Sequence, residues 1–352
     1  MSRHTRKLVL ARHGRAFRAF AVGVALLALC SMTLGSGAVA FAQDASPAAS
    51  PAGTCNAPAL PPGTPTPPEA SPAASPMAMA GMAATPAAAP AVGTPAEGST
   101  VDEVTAGVTN IVNCINSGNL EGAVALMTPN FLLQIFGTGN PYDVLANNML
   151  QGASFGDVQI ENVQTYADGS VSAEVSYMQS QYQITKERWT LVQQDSYWKA
   201  EHLDVLNPSP EGDTTVVGVT MGGEKGEYTF EPNVTEIPET DVIVLHGINA
   251  GQMVHEIVVV KLPEGTTSDD VINADEAKIG QLMQQSEFIA QRTYLPGEQG
   301  DIAMINLPPG TYTLLCGLPA PDGQPHFKHG MVTQITVTST APAASPVASP
   351  AA

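Results

Sequence analysis

Between Gln43 and Gly98 lies a stretch that cannot contribute to a folded core, and it decides how the rest of the chain is divided. Of its 56 residues 13 are Pro and 18 Ala, with no aromatic residue and no Lys or Arg. Such a segment buries too little apolar surface to offset the entropy lost on ordering its backbone. Proline favours an extended, semi-stiff spacer instead. The motif Ala-Ser-Pro-Ala-Ala-Ser stands at 45–50 and again at 70–75, and a cousin, Ala341-Pro-Ala-Ala-Ser-Pro, closes the chain. Residues 43–98 are therefore expected to be a disordered linker and 339–352 a disordered tail. Met77, Met79 and Met82 are thioethers of the kind that bind cuprous ion, but in an Ala-rich spacer they are read as chance.

Ahead of the linker, Arg3, Arg6, Lys7, Arg12, Arg15 and Arg18 precede an uncharged apolar run that begins near Ala19, and Ala40-Phe41-Ala42 offers a small-x-small cleavage pattern. Residues 1–42 read as a signal peptide that leaves Gln43 first. Retention as an anchor, or lipidation of Cys30, would be the alternative, although Leu29 is bulky for the latter. The mature protein is expected to be exported: extracellular, periplasmic or cell-envelope associated. Loss of six basic residues leaves 8 Lys+Arg against 33 Asp+Glu, a net charge of −25. Nucleic-acid backbones are repelled by such a chain, and a basic partner protein is attracted.

From Ser99 the pattern changes. Ser99-Thr-Val-Asp-Glu is an N-cap-like start, and Val104, Val108, Ile111, Val112 and Ile115 recur at helical spacing to about Asn116. Further helices are predicted from Asn119 to Leu126 and from Pro141 to Leu150. Strand-like runs follow at Val158–Val163, Ser170–Met178, Ile184–Gln193 and Tyr197–Val205. Helices followed by an antiparallel meander predict an α+β domain over 99–207.

This element order, the run Gly122-Ala-Val-Ala-Leu-Met-Thr-Pro-Asn-Phe and the strands carrying Trp189 and Trp198 resemble the ketosteroid-isomerase-like, or SnoaL-like, cone fold over residues 100–206. Isomerases, cyclases and many non-catalytic domains share that fold, so the resemblance does not give an activity. Asp143, Glu161, Tyr177, Tyr182 and His202 are the polar candidates for a pocket, and none forms a recognisable pair. The expectation is a binding or dimerising unit, for a small apolar ligand or a second copy.

After Asn207-Pro-Ser-Pro the periodicity is that of strands. Val216–Met221, Glu227–Glu231, Asp241–Gly247, Val254–Lys261, Ile302–Leu307, Gly310–Cys316 and Met331–Thr338 predict an all-β sandwich over 214–338. Asp269–Gln284 reads as a helical insertion packed outside it. Four of the five histidines beyond the signal fall here: His246, His255, His326 and His329. A type 1 copper centre needs two neutral imidazoles, a thiolate and a weak axial thioether. Cys316, His326 and Met331 supply thiolate, imidazole and thioether along one sixteen-residue segment, and His255 supplies the second imidazole from a distant strand.

Three blocks, Asn249-Ala-Gly-Gln-Met-Val-His255-Glu-Ile-Val-Val-Val, Pro308-Pro-Gly-Thr-Tyr312-Thr-Leu-Leu-Cys316 and Pro325-His326-Phe-Lys-His-Gly-Met331-Val, resemble those of the cupredoxins, the blue copper proteins. Tyr228-Thr-Phe-Glu-Pro is similar to that fold's early strand, so the likeness covers 214–338. It implies a Greek-key sandwich, one type 1 copper ion on His255, Cys316, His326 and Met331, and electron transfer to a basic redox partner rather than catalysis. Two departures stand out: nine residues, Gly317 to Pro325, separate Cys316 from His326, and Glu256 stands where many members have Asn. His329 is the alternative to His326. His246, in a Val-Ile-Val-Leu-His-Gly strand, reads as a core residue, as does Met304. Cys55 and Cys114 are left to pair as a disulfide, or Cys114 to be buried alone, with Cys316 free. The alternatives to an electron carrier are a copper-binding or storage module, and a cone domain that binds or turns over small molecules with an accessory copper domain.

Overall fold

The computed structural model of the chain describes residues 53–66 and 92–339. The expected signal peptide, the Met77, Met79 and Met82 cluster and residues 340–352 lie outside the described residues. Among the described residues no helix is long and apolar enough to cross a membrane.

Strand β1 (Thr94–Pro95) leads into helix α1 (Ser99–Asn116), whose Val104, Val108, Ile111, Val112 and Ile115 are buried. Gly98, at φ 59°, turns the chain into the helix without a side-chain cap, so Ser99 is the first helical residue rather than the cap. Helix α2 (Leu120–Ala125) is capped by Asn119, which accepts the Gly122 N–H. Helix α3 (Pro129–Phe136) was not among the expected helices: Thr128 accepts the Phe131 N–H, Pro129 presets the first turn, and Gly137 ends it at φ 72°. Helix α4 (Pro141–Ala146) is four residues shorter than its apolar run suggests.

An antiparallel meander follows: β2 (Gly156–Thr165), β3 (Val171–Met178), β4 (Gln183–Gln194) and β5 (Tyr197–Leu206). Its inward residues, among them Ala173, Val175, Trp189 and Leu191, join Ile111, Leu132 and the other helix residues in one core.

The remaining strands are β6 (Thr214–Met221), β7 (Phe230–Pro232), β8 (Glu236–Pro238), β9 (Val242–Asn249), β10 (His255–Lys261), β11 (Glu287–Tyr294), β12 (Gln299–Ile305), β13 (Gly310–Leu315) and β14 (Val332–Thr338). One sheet runs β11-β10-β13-β14-β8, and β12, β9, β6 and β7 lie side by side in the other. Val217, Leu245 and Ile302 of the second sheet meet Ile257, Tyr312 and Ile335 of the first in a sandwich core. Strands β8 and β11 were not expected; β11 carries Gln291 and Arg292 in the middle of its run, which obscures its alternation. The insertion is two helices, α5 (Ser268–Asn273) and α6 (Glu276–Gln284), because Ala274 is extended and Asp275 caps the second. Val271 and Leu282 pack with Val258, Leu315, Phe327 and Val332, outside the sandwich core.

Two findings correct the sequence reading. Residues 53–66, inside the expected linker, lie against the first core: Cys55 is disulfide-bonded to Cys114 of α1, Asn56 and Asn110 exchange hydrogen bonds, and Thr66 donates twice to Asp143. Average composition hid these few partners, which hold the backbone locally. The second is a seam between the two cores. Gln183 and Ile184 of β4 pair antiparallel with Met304 and Ala303 of β12, making one sheet of nine strands. The buried Gln183 side chain donates to the Gln291 carbonyl and accepts the Gln291 N–H, both at 2.9 Å.

Candidate metal centre

His255 opens β10, Cys316 follows β13 directly, and His326 begins a 3-10 turn, His326–His329. Adjacent strands β10 and β13 therefore deliver one ligand candidate each, and the chain after Cys316 must return for the third. It does so through a tight excursion: Ala320 N–H donates to Gln324 O at 2.7 Å, Gly323 N–H to Ala320 O at 2.8 Å, and His326 N–H to Leu318 O at 2.8 Å. The long interval noted in the sequence is thus an extra turn that closes on itself before the imidazole.

His255, Cys316 and His326 are all buried, with one potential ligand atom from each lying within 4.8 Å of the others. His326 Nδ1 is 3.3 Å from Cys316 Sγ and 3.2 Å from His255 Nδ1. His255 Nε2 is 3.1 Å from Glu227 Oε1. A carboxylate accepts only, so Nε2 carries the proton and the lone pair of Nδ1 faces the cluster. His326 Nε2 is buried without a hydrogen-bond partner. Met331 is fully buried; its N–H donates to His326 O at 3.1 Å, and its carbonyl accepts the Cys316 N–H at 3.2 Å.

The electrostatics fit a cation. Burial lowers the His326 pKa to about 4, with the neighbouring His255 and His329 adding to the effect. Burial also lowers His255, against the opposing pull of Glu227. Both imidazoles are neutral near pH 7. Burial, then the charge of Glu256, raises the Cys316 thiol well above its ordinary value. The bare Nδ1 of His255, the neutral imidazole of His326 and a thiol whose anion is penalised by burial gain most when a positive ion enters among them. Nitrogen and soft sulfur with a thioether nearby is the donor set of a blue copper site, and these residues fit one.

The residues around the cluster hold it in place. Glu256, where the resemblance led one to expect Asn, is buried with its carboxyl raised to about 7 by desolvation, and its Oε1 accepts the Gly317 N–H at 2.9 Å. It braces the residue after Cys316. Asn249 is completely buried: its amide donates to Met253 O at 2.8 Å and Tyr294 O at 3.0 Å, and its oxygen accepts the Gly251 N–H, shaping the turn ahead of His255. Lys328 donates to the Val271, Ile272 and Ala274 carbonyls and so ties the His326 turn to the end of α5.

The structure brings His326, and not His329, to Cys316. His329 is exposed and bonds Asp322 at 3.2 Å. His246 is not a core residue: its ring is half-exposed on β9, with Nδ1 2.7 Å from Asp301. Met304 is fully buried in the sandwich core. In the first core the pocket candidates are not brought together. Asp143 accepts from Thr66 and Thr138, Glu161 is exposed, and His202 bonds Asp204 at the surface. Two residues escaped the sequence reading. Glu227 orients His255, and Glu187 is buried between Tyr177 Oη at 3.1 Å and Trp189 Nε1 at 2.8 Å.

No protein-family model and no curated protein matches the chain. Solved structures similar to it include auracyanin from the photosynthetic bacterium Roseiflexus castenholzii, at 24% identity, covering 35% of this chain and 97% of that one, with a TM-score of 0.24. Auracyanin A from Chloroflexus aurantiacus, described as a "blue" copper protein, is 18% identical over 36% of this chain and 99% of its own, with a TM-score of 0.24. Rusticyanin from Thiobacillus ferrooxidans is 18% identical over 36% and 79%, with a TM-score of 0.25. The reading of the site stands on its own geometry.

Proposed function

We propose that this chain is an exported, copper-binding one-electron carrier whose C-terminal unit, 214–338, is a cupredoxin-like domain. One type 1 copper ion would be held by His255 and His326 through Nδ1, by Cys316 through its thiolate, and by the thioether of Met331. The observation that carries the reading is the convergence of His255 Nδ1, His326 Nδ1 and Cys316 Sγ in a buried cluster. Copper, when bound, supplies the Cu(II)/Cu(I) couple. Glu227 fixes the His255 tautomer, and Cys316 gives up its proton on binding. The backbone bonds among Cys316, His326 and Met331 keep the ligand loop from rearranging between oxidation states.

The rest of the chain is assigned to delivery and docking. Residues 1–42 direct export to the periplasm, the cell envelope or the outside. The unit 99–207 is a cone-like binding or dimerising domain. The acidic surface selects a basic redox partner.

Mature protein treated with Cu(II) is expected to turn blue or green from thiolate-to-copper charge transfer, and Cys316→Ala to bleach it. Copper uptake without that band would favour a storage role, and absence of uptake would refute the copper reading.

A further inference from the structure

No ligand candidate reaches solvent. His255 and Cys316 are fully buried, and His326 is 1% exposed. An electron must therefore cross at least one further residue, and the packing against His326 shows which. The Tyr228 ring meets His326 edge to face, with centroids 4.9 Å apart and planes at 60°. Tyr228 also stacks on His329, at 4.8 Å and 28°. His255 and His326 are themselves in ring contact at 5.1 Å. His329 is exposed, and its ring is held by Asp322. Tyr228 is half-buried and directs its hydroxyl at Met253 Sδ, 3.7 Å away, in the turn ahead of His255.

From these contacts we infer that Tyr228 and His329 form the electron route between the buried centre and the surface; the inference rests on the copper reading above. Electron tunnelling falls steeply with the width of empty or saturated gaps, and π-systems in van der Waals contact bridge such gaps best. The ring succession His326, Tyr228, His329 is an aromatic path of that kind to solvent. Glu227, on His255, is a saturated-chain carboxylate and offers no aromatic ring to carry the electron onward. Asp322 and Glu227 both act electrostatically on Tyr228, so the mouth of the route is negative and suits a cationic one-electron partner. Lys328, the nearest base in the turn, is engaged with carbonyls of the α5 end.

The test uses hexaammineruthenium(II) as that partner and the Cu(II)-loaded chain. Ruthenium(II) is oxidised to ruthenium(III) and Cu(II) reduced to Cu(I), one electron for one, with no bond broken and no proton moved. Tyr228→Leu is expected to lower the stopped-flow rate constant about tenfold, ~1.4 kcal/mol in activation free energy, while the charge-transfer band and midpoint potential stay put. Tyr228→Phe, which keeps the ring, restores the rate. His329→Ala lowers it in the same direction and serves if Tyr228→Leu does not fold. His202→Ala, an exposed imidazole on β5, leaves it unchanged. In the metal-free protein, Tyr228→Leu uncovers His326, and diethyl pyrocarbonate should label that imidazole faster by mass spectrometry. A coloured protein whose rate ignores both Tyr228→Leu and His329→Ala overturns the route alone, as does unchanged labelling of His326. A colourless wild-type protein overturns the route and the copper reading together.

Discussion

Glu187 makes the first core pH-sensitive, and the size of the effect follows from its surroundings. Its carboxyl is buried at the centre of β4, accepting from Tyr177 Oη and Trp189 Nε1, and burial raises its pKa from 4.5 to about 7 despite those two bonds. A raised carboxyl means that the folded state holds the proton more tightly than the unfolded state. Stability from this group is therefore greatest below the unfolded value near 4.5, declines as pH rises through about 7, and is flat above. The span from 4.5 to about 7 corresponds to ~3 kcal/mol. Glu187→Gln preserves the volume and an accepting oxygen but does not titrate. Denaturant unfolding of the metal-free protein, followed by Trp fluorescence from pH ~4.5 to ~7.5, should show the variant gaining on the wild type by about that amount. Glu256 adds a slope of the same sign, raised to about 7 by its own burial, but it is common to both proteins and cancels in the difference. Parallel stability curves for the two proteins would refute the reasoning.

Three further outcomes are expected. Asn249→Ala strands the Met253 and Tyr294 carbonyls and the Gly251 N–H, so it should cost at least ~2 kcal/mol in denaturant unfolding and weaken copper retention in a chelator competition. Replacing Cys55 and Cys114 by Ser opens a loop whose ends are 59 residues apart, for which chain entropy gives ~4 kcal/mol; calorimetry should show a lower Tm with the copper band unaltered. Reduction of the loaded protein by a cationic complex should slow as salt rises, because a chain of formal charge −19 attracts the reagent only while its field is unscreened; a rate indifferent to ionic strength would contradict this.

The meeting of His255, Cys316 and His326 was legible because each sits in a local pattern: His255 at the head of a Val-rich strand, Cys316 at the tail of another, and His326 after a proline in the return loop. What surrounds the cluster was not. Glu227 lies 28 residues before His255, and nothing in its neighbourhood marks it. It arrives because parallel pairing of β6 with β9 brings the turn after Met221 beside the turn after Asn249. Tyr228 follows it for the same reason. Glu187 was within reach, since Glu187, Trp189 and Leu191 share the inward phase of β4, but an acidic residue in that phase is easily taken for a register error. Helix α3 had its Thr128-Pro129 start in plain view, yet eight residues give too few turns for periodicity to reveal. The pairing of β4 with β12 joins positions about 120 apart in the chain, a distance over which local pattern carries no information.

That pairing limits how the molecule can be taken apart. Cutting near Asn207 to obtain the half that carries His255, Cys316 and His326 would strip the Gln291 amide and carbonyl, the Ile289 carbonyl and the Ile305 N–H of the Gln183, Ser180 and Tyr182 groups that satisfy them. The severed fragment would carry a bare strand margin, and such margins recruit copies of themselves. A minimal soluble fragment should therefore keep the β4 hairpin or blunt the β12 margin with a lysine.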